Sequence, residues 1–398
     1  MANRFAVSYL VMKIALYYPW IYLKSGVERT ILETVKRSKN KYTIFTNHYD
    51  KKGTYPEFKR LKVIELKRIP VRRNLLSVFQ AAVAIIFQKI DLTGFDLFLV
   101  HSEGLGDLIL FRNNKIPAAC FCHTPLRPVF DPEYKMRARS KRSSLRKIAY
   151  HFLDLLFQIT DKYLWKKYKY IFFNSLESVR RAKTGHLLDK NSKYKILHPG
   201  VDWEDIKTTQ EFKKYFLVSG RIMWTKNIEL AIKSFNVFEK WLKGDGFKLI
   251  IAGQVDNKSI PYFEKLKLLA KINRNIFFVK NPTDLKMKNL YTNCFASLAT
   301  SFNEDWGLTP VEANAYGKPV LAVNSGGFKE SQVNGKTGFL INNDPKEFAS
   351  KMLILAKDVA LTRKMGKSAR DYSEQFSWSK FAVKLDKFLN DLWFRKIY

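Results

Sequence analysis

Short apolar runs alternate with longer stretches of helical periodicity along this chain, and the alternation starts twice. Strands that alternate with helices run parallel, because each helix returns the chain to the same end of the sheet. In the first half, residues 12–18, 42–46, 97–101, 118–122, 170–174 and 195–197 read as strands, and 29–36 as a helix. In the second half, 215–219, 248–252, 276–279, 296–299 and 320–323 read as strands. Residues 227–242 place Ile228, Ala231, Ile232, Phe235 and Phe238 at the i, i+3, i+4 spacing of a helix with one buried stripe. The turn-rich His198-Pro199-Gly200-Val201-Asp202 separates the two series and suits a linker. A length of 398 residues agrees, being too long for one ordinary core. The expected division is 1–198 and 199–377, with 378–398 a closing helix.

Charge is the unusual part of the composition. The net charge is +34. Residues 1–198 hold 38 Lys and Arg against 15 Asp and Glu, and the rest hold 32 against 21, so the excess sits in the first half. Such a field attracts phosphorylated substrates, anionic membrane or nucleic acid. Between Tyr134 and Ile148 lie Lys135, Arg137, Arg139, Lys141, Arg142, Arg146 and Lys147 with no acid. That run reads as a solvated face or as a contact for lipid phosphates or an anionic acceptor. Nucleic acid is the weaker partner, since no zinc-finger cysteines or RNA-recognition aromatics accompany the charge.

Cys120, Cys122 and Cys294 are too few for a disulfide framework. Cys120 and Cys122 share one face of a strand, and no second ligand cluster at zinc spacing completes a metal site. The apolar residues 5–12 are short and run straight into Lys13, which does not make a secretory leader. Residues 75–87 fall well short of the roughly 20 that a membrane span needs and read as a buried core helix. The expectation is a cytoplasmic protein, with peripheral contact to the cytoplasmic membrane face left open by the basic first half.

Two segments of the second half carry chemistry. Asn303-Glu304-Asp305-Trp306-Gly307-Leu308-Thr309-Pro310-Val311-Glu312 sets two carboxylates on either side of a helix start. Proline suits the first helical position and Thr309 the cap, which would make Glu312 the partner in a capping box. Glu304 falls just past a strand's C-terminal end, where doubly wound sheets bind ligands. Carboxylates there can accept bonds from sugar and ribose hydroxyls, and a helix N-terminus favours a diphosphate. In Ser219-Gly220-Arg221-Ile222-Met223-Trp224-Thr225-Lys226, a guanidinium and an ammonium follow a strand. Together they can neutralise charge that develops on a leaving diphosphate.

These segments, in this order, resemble glycosyltransferase family 4. The pattern is a Gly-Arg…Lys loop, here Gly220, Arg221 and Lys226, then Glu304 and Glu312 around an aromatic-glycine pair. Trp306-Gly307 stands where the family usually has Phe-Gly. Gly326-Gly327 with Glu330, and Asn334-Gly335-Lys336-Thr337-Gly338-Phe339, continue the match, which covers most of residues 195–345. In the first half, His123-Thr124-Pro125-Leu126-Arg127 is similar to a His-Thr-Pro-x-Arg segment of a mannosyltransferase branch, and Ser25-Gly26 stands where the family often has Gly-Gly.

The resemblance implies an α/β protein of the GT-B fold, two Rossmann-like domains facing across a central cleft. It implies a retaining transfer from a nucleotide sugar to a glycan or lipid-linked glycan. His123, Glu304, Arg221 and Lys226 would be catalytic. Gly220, Arg221, Lys226, Glu304, Asp305, Trp306, Gly307, Leu308, Thr309 and Glu312 would hold the donor. Gly26, His123 and Arg127 would lie on the acceptor side. No cofactor and no metal are expected, the two cations taking a metal's electrostatic role. GDP-mannose is the expected donor, with a UDP-sugar as the alternative and nucleic-acid binding a more distant one. His101 borders the acceptor side in the weaker expectation, and His198 positions the linker.

Overall fold

A computed structural model describes residues 11–397 except 73, 141–142, 210 and 244–245, with side chains apart from those of 145 and 392–397. Most of the apolar stretch 5–12, and Lys141 and Arg142 of the basic run, lie outside the described residues. The chain separates into two compact units, residues 1–198 with 379–398 and residues 199–378.

The first unit is built on a seven-stranded parallel sheet. In spatial order its strands are Val63–Glu65, Lys41–Thr46, Lys13–Tyr17, Leu97–Ser102, Ala118–Cys122, Tyr168–Phe173 and Tyr194–Ile196. The chain winds outward from Lys13–Tyr17 in one direction, then returns and winds out in the other. Central strands such as Leu97–Ser102 are buried along their whole length, which is why they read as unbroken apolar runs. The closing helix Trp378–Ile397 docks on this unit. Phe381 lies 5.9 Å from Phe121, Phe388 lies 6.2 Å from Phe172, and Asp386 accepts from Lys39 N at 2.8 Å.

The second unit holds a six-stranded parallel sheet in the order Ile276–Lys280, Lys248–Gly253, Tyr215–Ser219, Ala296–Ala299, Val320–Val323, Gly338–Ile341. Numbered along the chain, that order is 3-2-1-4-5-6, the Rossmann order. Helix Ile228–Leu242 buries the expected stripe of Ile228, Ala231, Ile232, Phe235 and Phe238. Phe238 packs edge-on against Phe216 at 5.2 Å and against Phe247 at 5.4 Å, which fixes that helix to the sheet.

Two local expectations change. The first helix spans Gly26–Arg37, three residues ahead of the expected start. Ser25 caps it, accepting from Val27 N, while Leu23 N donates to the Glu28 carboxylate, so the pair closes the helix start reciprocally. Residues 75–87 do form a helix, Leu75–Phe87, but not a buried one. Ser77, Ala81 and Ile85 face the core, and Leu76, Phe79, Val83 and Phe87 face solvent. A run without charges carries no periodic signal to separate its two faces.

Candidate active site

In the second unit the sheet order reverses between Tyr215–Ser219 and Ala296–Ala299. Loops leaving the C-terminal ends of such a pair diverge and open a crevice. Here they are the two motif segments. Phe302 N donates to Thr225 O at 3.0 Å, and Thr300 Oγ1 donates to Lys226 O at 2.8 Å. With the backbones tied, Lys226 Nζ stands 2.6 Å from Glu304 Oε2, each side chain about one-fifth exposed, at 22% and 20%. An ion pair this open adds little stability. Its consequence is placement: a cation and a carboxylate lie side by side at the sheet edge. Arg221 is exposed, and its guanidinium makes no hydrogen bond or ion pair among the described residues. Its fork of donors is unspent.

The Glu304 loop is held from behind. Gly327 N donates to Glu304 O at 2.8 Å. Gly326 has φ +56°, and a Cβ there would stand 2.4 Å from Glu304 O, so no larger residue fits beneath the loop.

The helix that follows is Leu308–Ala315, capped by Gly307 rather than Thr309. Gly307 takes φ +87°, and a Cβ would meet the Phe328 ring at 2.5 Å. The expected capping box therefore does not form, because Thr309 is already inside the helix and Glu312 lies beyond its first turn. Glu312 is freed for another role. Its Oε2 accepts from the Tyr291 hydroxyl at 2.7 Å, and the Tyr291 hydroxyl oxygen also lies 2.7 Å from Ser219 Oγ. Burial first, then the Glu312 charge, hold the Tyr291 phenol well above its ordinary range, so it stays a donor. Tyr316 stacks on Tyr291 at 5.4 Å. Neither tyrosine was visible as a site residue, since nothing in their spacing points to Glu312.

The remaining donor-side residues divide. Gly220 lies against the helix start, a Cβ there standing 3.5 Å from Thr309 Cγ2. Asp305, Leu308 and Thr309 are half-buried around the same start. Trp306 is placed elsewhere. Its indole is buried, donates to Pro199 O at 3.0 Å and packs edge-on against Phe376 at 5.0 Å. The side chain serves the unit's core.

The matching edge of the first unit carries a histidine pair. His101 and His123 end adjacent strands, with His101 Nδ1 3.0 Å from His123 Nε2. Phe121 stacks on His101 at 5.0 Å. Burial holds both rings neutral, His123 pushed down to about 3 and His101 well below its ordinary range. Among the described residues His101 Nε2 has no hydrogen-bond partner. An orphaned lone pair there costs less than an orphaned N–H, which assigns the proton to His101 Nδ1, donating to His123 Nε2. His123 then carries its own proton on Nδ1. This coupling was missed in the sequence, where His101 read as the weaker of two separate candidates.

Arg127 is committed locally. Its Nε and Nη2 donate to Asp131 Oδ2 at 3.1 and 3.0 Å, and its guanidinium lies over Tyr134. Gly26 is the first residue of its helix. Beside it stands an acid the sequence did not reveal. Burial raises the Glu28 carboxyl to about 7, and Tyr18 donates to the nearby Glu103 at 3.0 Å. His198 closes the first unit.

Residues 202–372 match the family model described as "Glycosyl transferases group 1". The alpha-1,3/1,6-mannosyltransferase ALG2 of Dictyostelium discoideum is 27% identical, over 96% of this chain and 98% of that protein. Among solved structures, the sucrose-phosphate synthase of Thermosynechococcus elongatus superposes with a TM-score of 0.74 at 16% identity, over 96% of this chain and 99% of that one. Anabaena HepE, in complex with UDP and glucose, superposes at 0.72 and 16% identity, over 95% and 99%. With two Rossmann-like units in one chain and the motif residues of the second gathered at its switch edge, the chain is a glycosyltransferase of the GT-B fold, resembling family 4.

Proposed function

We propose that the protein transfers mannose from GDP-mannose, with retention at the anomeric carbon, to a glycan or lipid-linked glycan. The geometry that carries the reading is the unspent Arg221 beside the Lys226–Glu304 pair. Arg221 and Lys226 hold the diphosphate, Glu304 accepts from the sugar hydroxyls, and Glu312, oriented by Tyr291, accepts from the ribose. The sugar's C1–O bond to phosphate breaks as an acceptor oxygen bonds C1 on the same face. The acceptor proton passes to the leaving phosphate oxygen. His123 presents its Nδ1–H to the acceptor side, and Arg127 supports the loop that carries it. No metal is needed in this scheme, because the two cations stabilise the leaving group. Mannose is supported by the likeness to the Dictyostelium mannosyltransferase along nearly the whole of both chains. The reaction takes place on the cytoplasmic side, with the first unit in peripheral contact with an anionic membrane.

A second reading keeps the chemistry and exchanges the donor. HepE, which shares the fold, was solved with UDP and glucose, so a UDP-sugar is the competing substrate. Incubation with radiolabelled GDP-mannose or UDP-glucose, and with a polyprenyl-diphosphate-linked disaccharide as acceptor, separates them. The expected product carries α-mannose. Consumption of the UDP-sugar alone would discard the mannose reading.

A further inference from the structure

The first unit exposes an apolar surface that its own core does not use. Helix Ser144–Trp165 is inverted relative to an ordinary surface helix. Its two carboxylates, Asp154 and Asp161, point inward at 4% and 1% exposure, while Phe152, Leu156 and Ile159 point outward at 66%, 63% and 60%. Arg139 holds Asp154 through a fork at 2.7 and 2.8 Å. Burial, then the neighbouring Asp107, push the Asp161 carboxyl well above its ordinary range. The outward face is therefore free of negative charge. Helix Leu75–Phe87 contains no charged residue and turns Leu76, Phe79 and Phe87 outward at 67%, 64% and 64%.

The two helices meet on one element. Both helices pack on the short helix Leu105–Phe111. Arg112 lies over the Phe87 ring at 5.5 Å, Phe111 stacks on Tyr163 at 6.2 Å, and Lys167 lies over Tyr163 at 4.7 Å. Cations thus sit at the margin of the apolar stripe. Residues 135–167 contain ten Lys and Arg and two Asp and Glu, and both acids are the inward ones. Scattered exposed apolar residues are normal, but a contiguous stripe rimmed by one sign of charge marks a binding surface.

We propose that helices Leu75–Phe87 and Ser144–Trp165 seat the first unit on an anionic bilayer, their outward apolar faces in the acyl boundary and Arg112, Arg146, Lys147 and Lys167 at headgroup level. This deepens the membrane contact of the proposed function and is independent of the donor's identity. Charge selects the occupant: a second copy of a chain at +34 would set cation against cation, whereas lipid phosphate neutralises the rim.

The test is co-sedimentation of the full chain with vesicles of phosphatidylcholine alone or mixed with phosphatidylglycerol. Wild type pellets with the mixed vesicles. Phe79→Ser with Phe152→Ser lowers partitioning by roughly tenfold or more, with near-ultraviolet circular dichroism unchanged. Arg146→Gln with Lys147→Gln lowers it several-fold, and raised salt does the same. Wild type that ignores the mixed vesicles, or an apolar variant that pellets like wild type, overturns the proposal. An apolar variant that loses only self-association, read by sedimentation mass, assigns the face to a second copy and overturns it as well. Thermal response to GDP, read on the same samples, reports the donor site separately.

Discussion

The two sheets share one strand order, yet their switch edges carry opposite electrostatics. The second unit presents charges that solvent reaches, the one-fifth-exposed Lys226–Glu304 pair and the exposed Arg221. The first presents desolvated groups, the neutral His101–His123 pair and, at the start of helix Gly26–Arg37, the buried Glu28. Open cations suit a dianionic leaving group that must bind from water and depart again. Neutral, buried rings suit a hydroxyl acceptor, since they orient it without competing for the donor's phosphate. The fold supplies the edge, and the side chains decide which half of a transfer each edge serves.

Substitutions at the charged edge sharpen this contrast most. Arg221→Ala should lower kcat/KM by about 10²–10³-fold, because the guanidinium stabilises charge that appears only as the diphosphate leaves. Lys226→Ala and Glu304→Ala should each cost about 10–100-fold, and the double variant less than their product, since the two side chains form one ion pair. Kinetics on the four proteins of that cycle check it; strict additivity would mean the pair does not act as a unit.

The neutral edge should respond in a different parameter. His123→Asn should lower kcat by about 10²-fold while stabilisation by nucleotide stays as in wild type. His101→Asn should lower kcat less, and should move the His123 ring nitrogens toward the other tautomer in nitrogen-15 spectra. A matched loss of nucleotide response in either variant would break the comparison. Tyr291→Phe, which removes the hydroxyl that donates to Glu312, should weaken nucleotide binding by about tenfold, read by calorimetry.

The smallest effect is on pH. Both rings are neutral in the folded unit, so the unfolded chain binds protons that the native one does not. Their contribution is complete above the ordinary histidine value of 6.5 and is lost as pH falls toward the value of about 3 for His123. Glu28 works in reverse, its contribution present below its ordinary value of 4.5 and lost as pH rises through about 7. Melting curves from pH 8 to 5 should show His123→Asn losing less stability on the acid side than wild type.

How much of this the sequence carried depends on the kind of signal. The central parallel strands were legible because buried strands are unbroken apolar runs, and helix Ile228–Leu242 because its stripe repeats at helical spacing, whereas the short edge strands Val63–Glu65 and Gly338–Ile341 were missed. Glu304 and Lys226 were legible as loop residues past strand ends, though not as an ion pair, which depends on the backbone ties at Thr225 and Thr300. The helix start at Gly307 was hidden because a left-handed glycine competes with the Thr-Pro signal. Tyr291 was hidden because its contact with Glu312 is made only by the tertiary fold. The outward face of Leu75–Phe87 was misread as core, since apolar content alone does not distinguish a protein interior from an exposed apolar surface.

The most direct measurement is thermal stabilisation by a panel of GDP, GDP-mannose, UDP and UDP-glucose on wild type, Arg221→Ala and Glu304→Ala. A ligand at about a hundred times its dissociation constant adds about 2.7 kcal/mol, a shift of a few degrees for domains of this size. A donor site at the charged edge predicts that GDP and GDP-mannose raise the melting temperature, that Arg221→Ala abolishes the rise, and that Glu304→Ala removes only the part owed to mannose. Equal responses in wild type and Arg221→Ala, or no response to any nucleotide by folded protein, would contradict it.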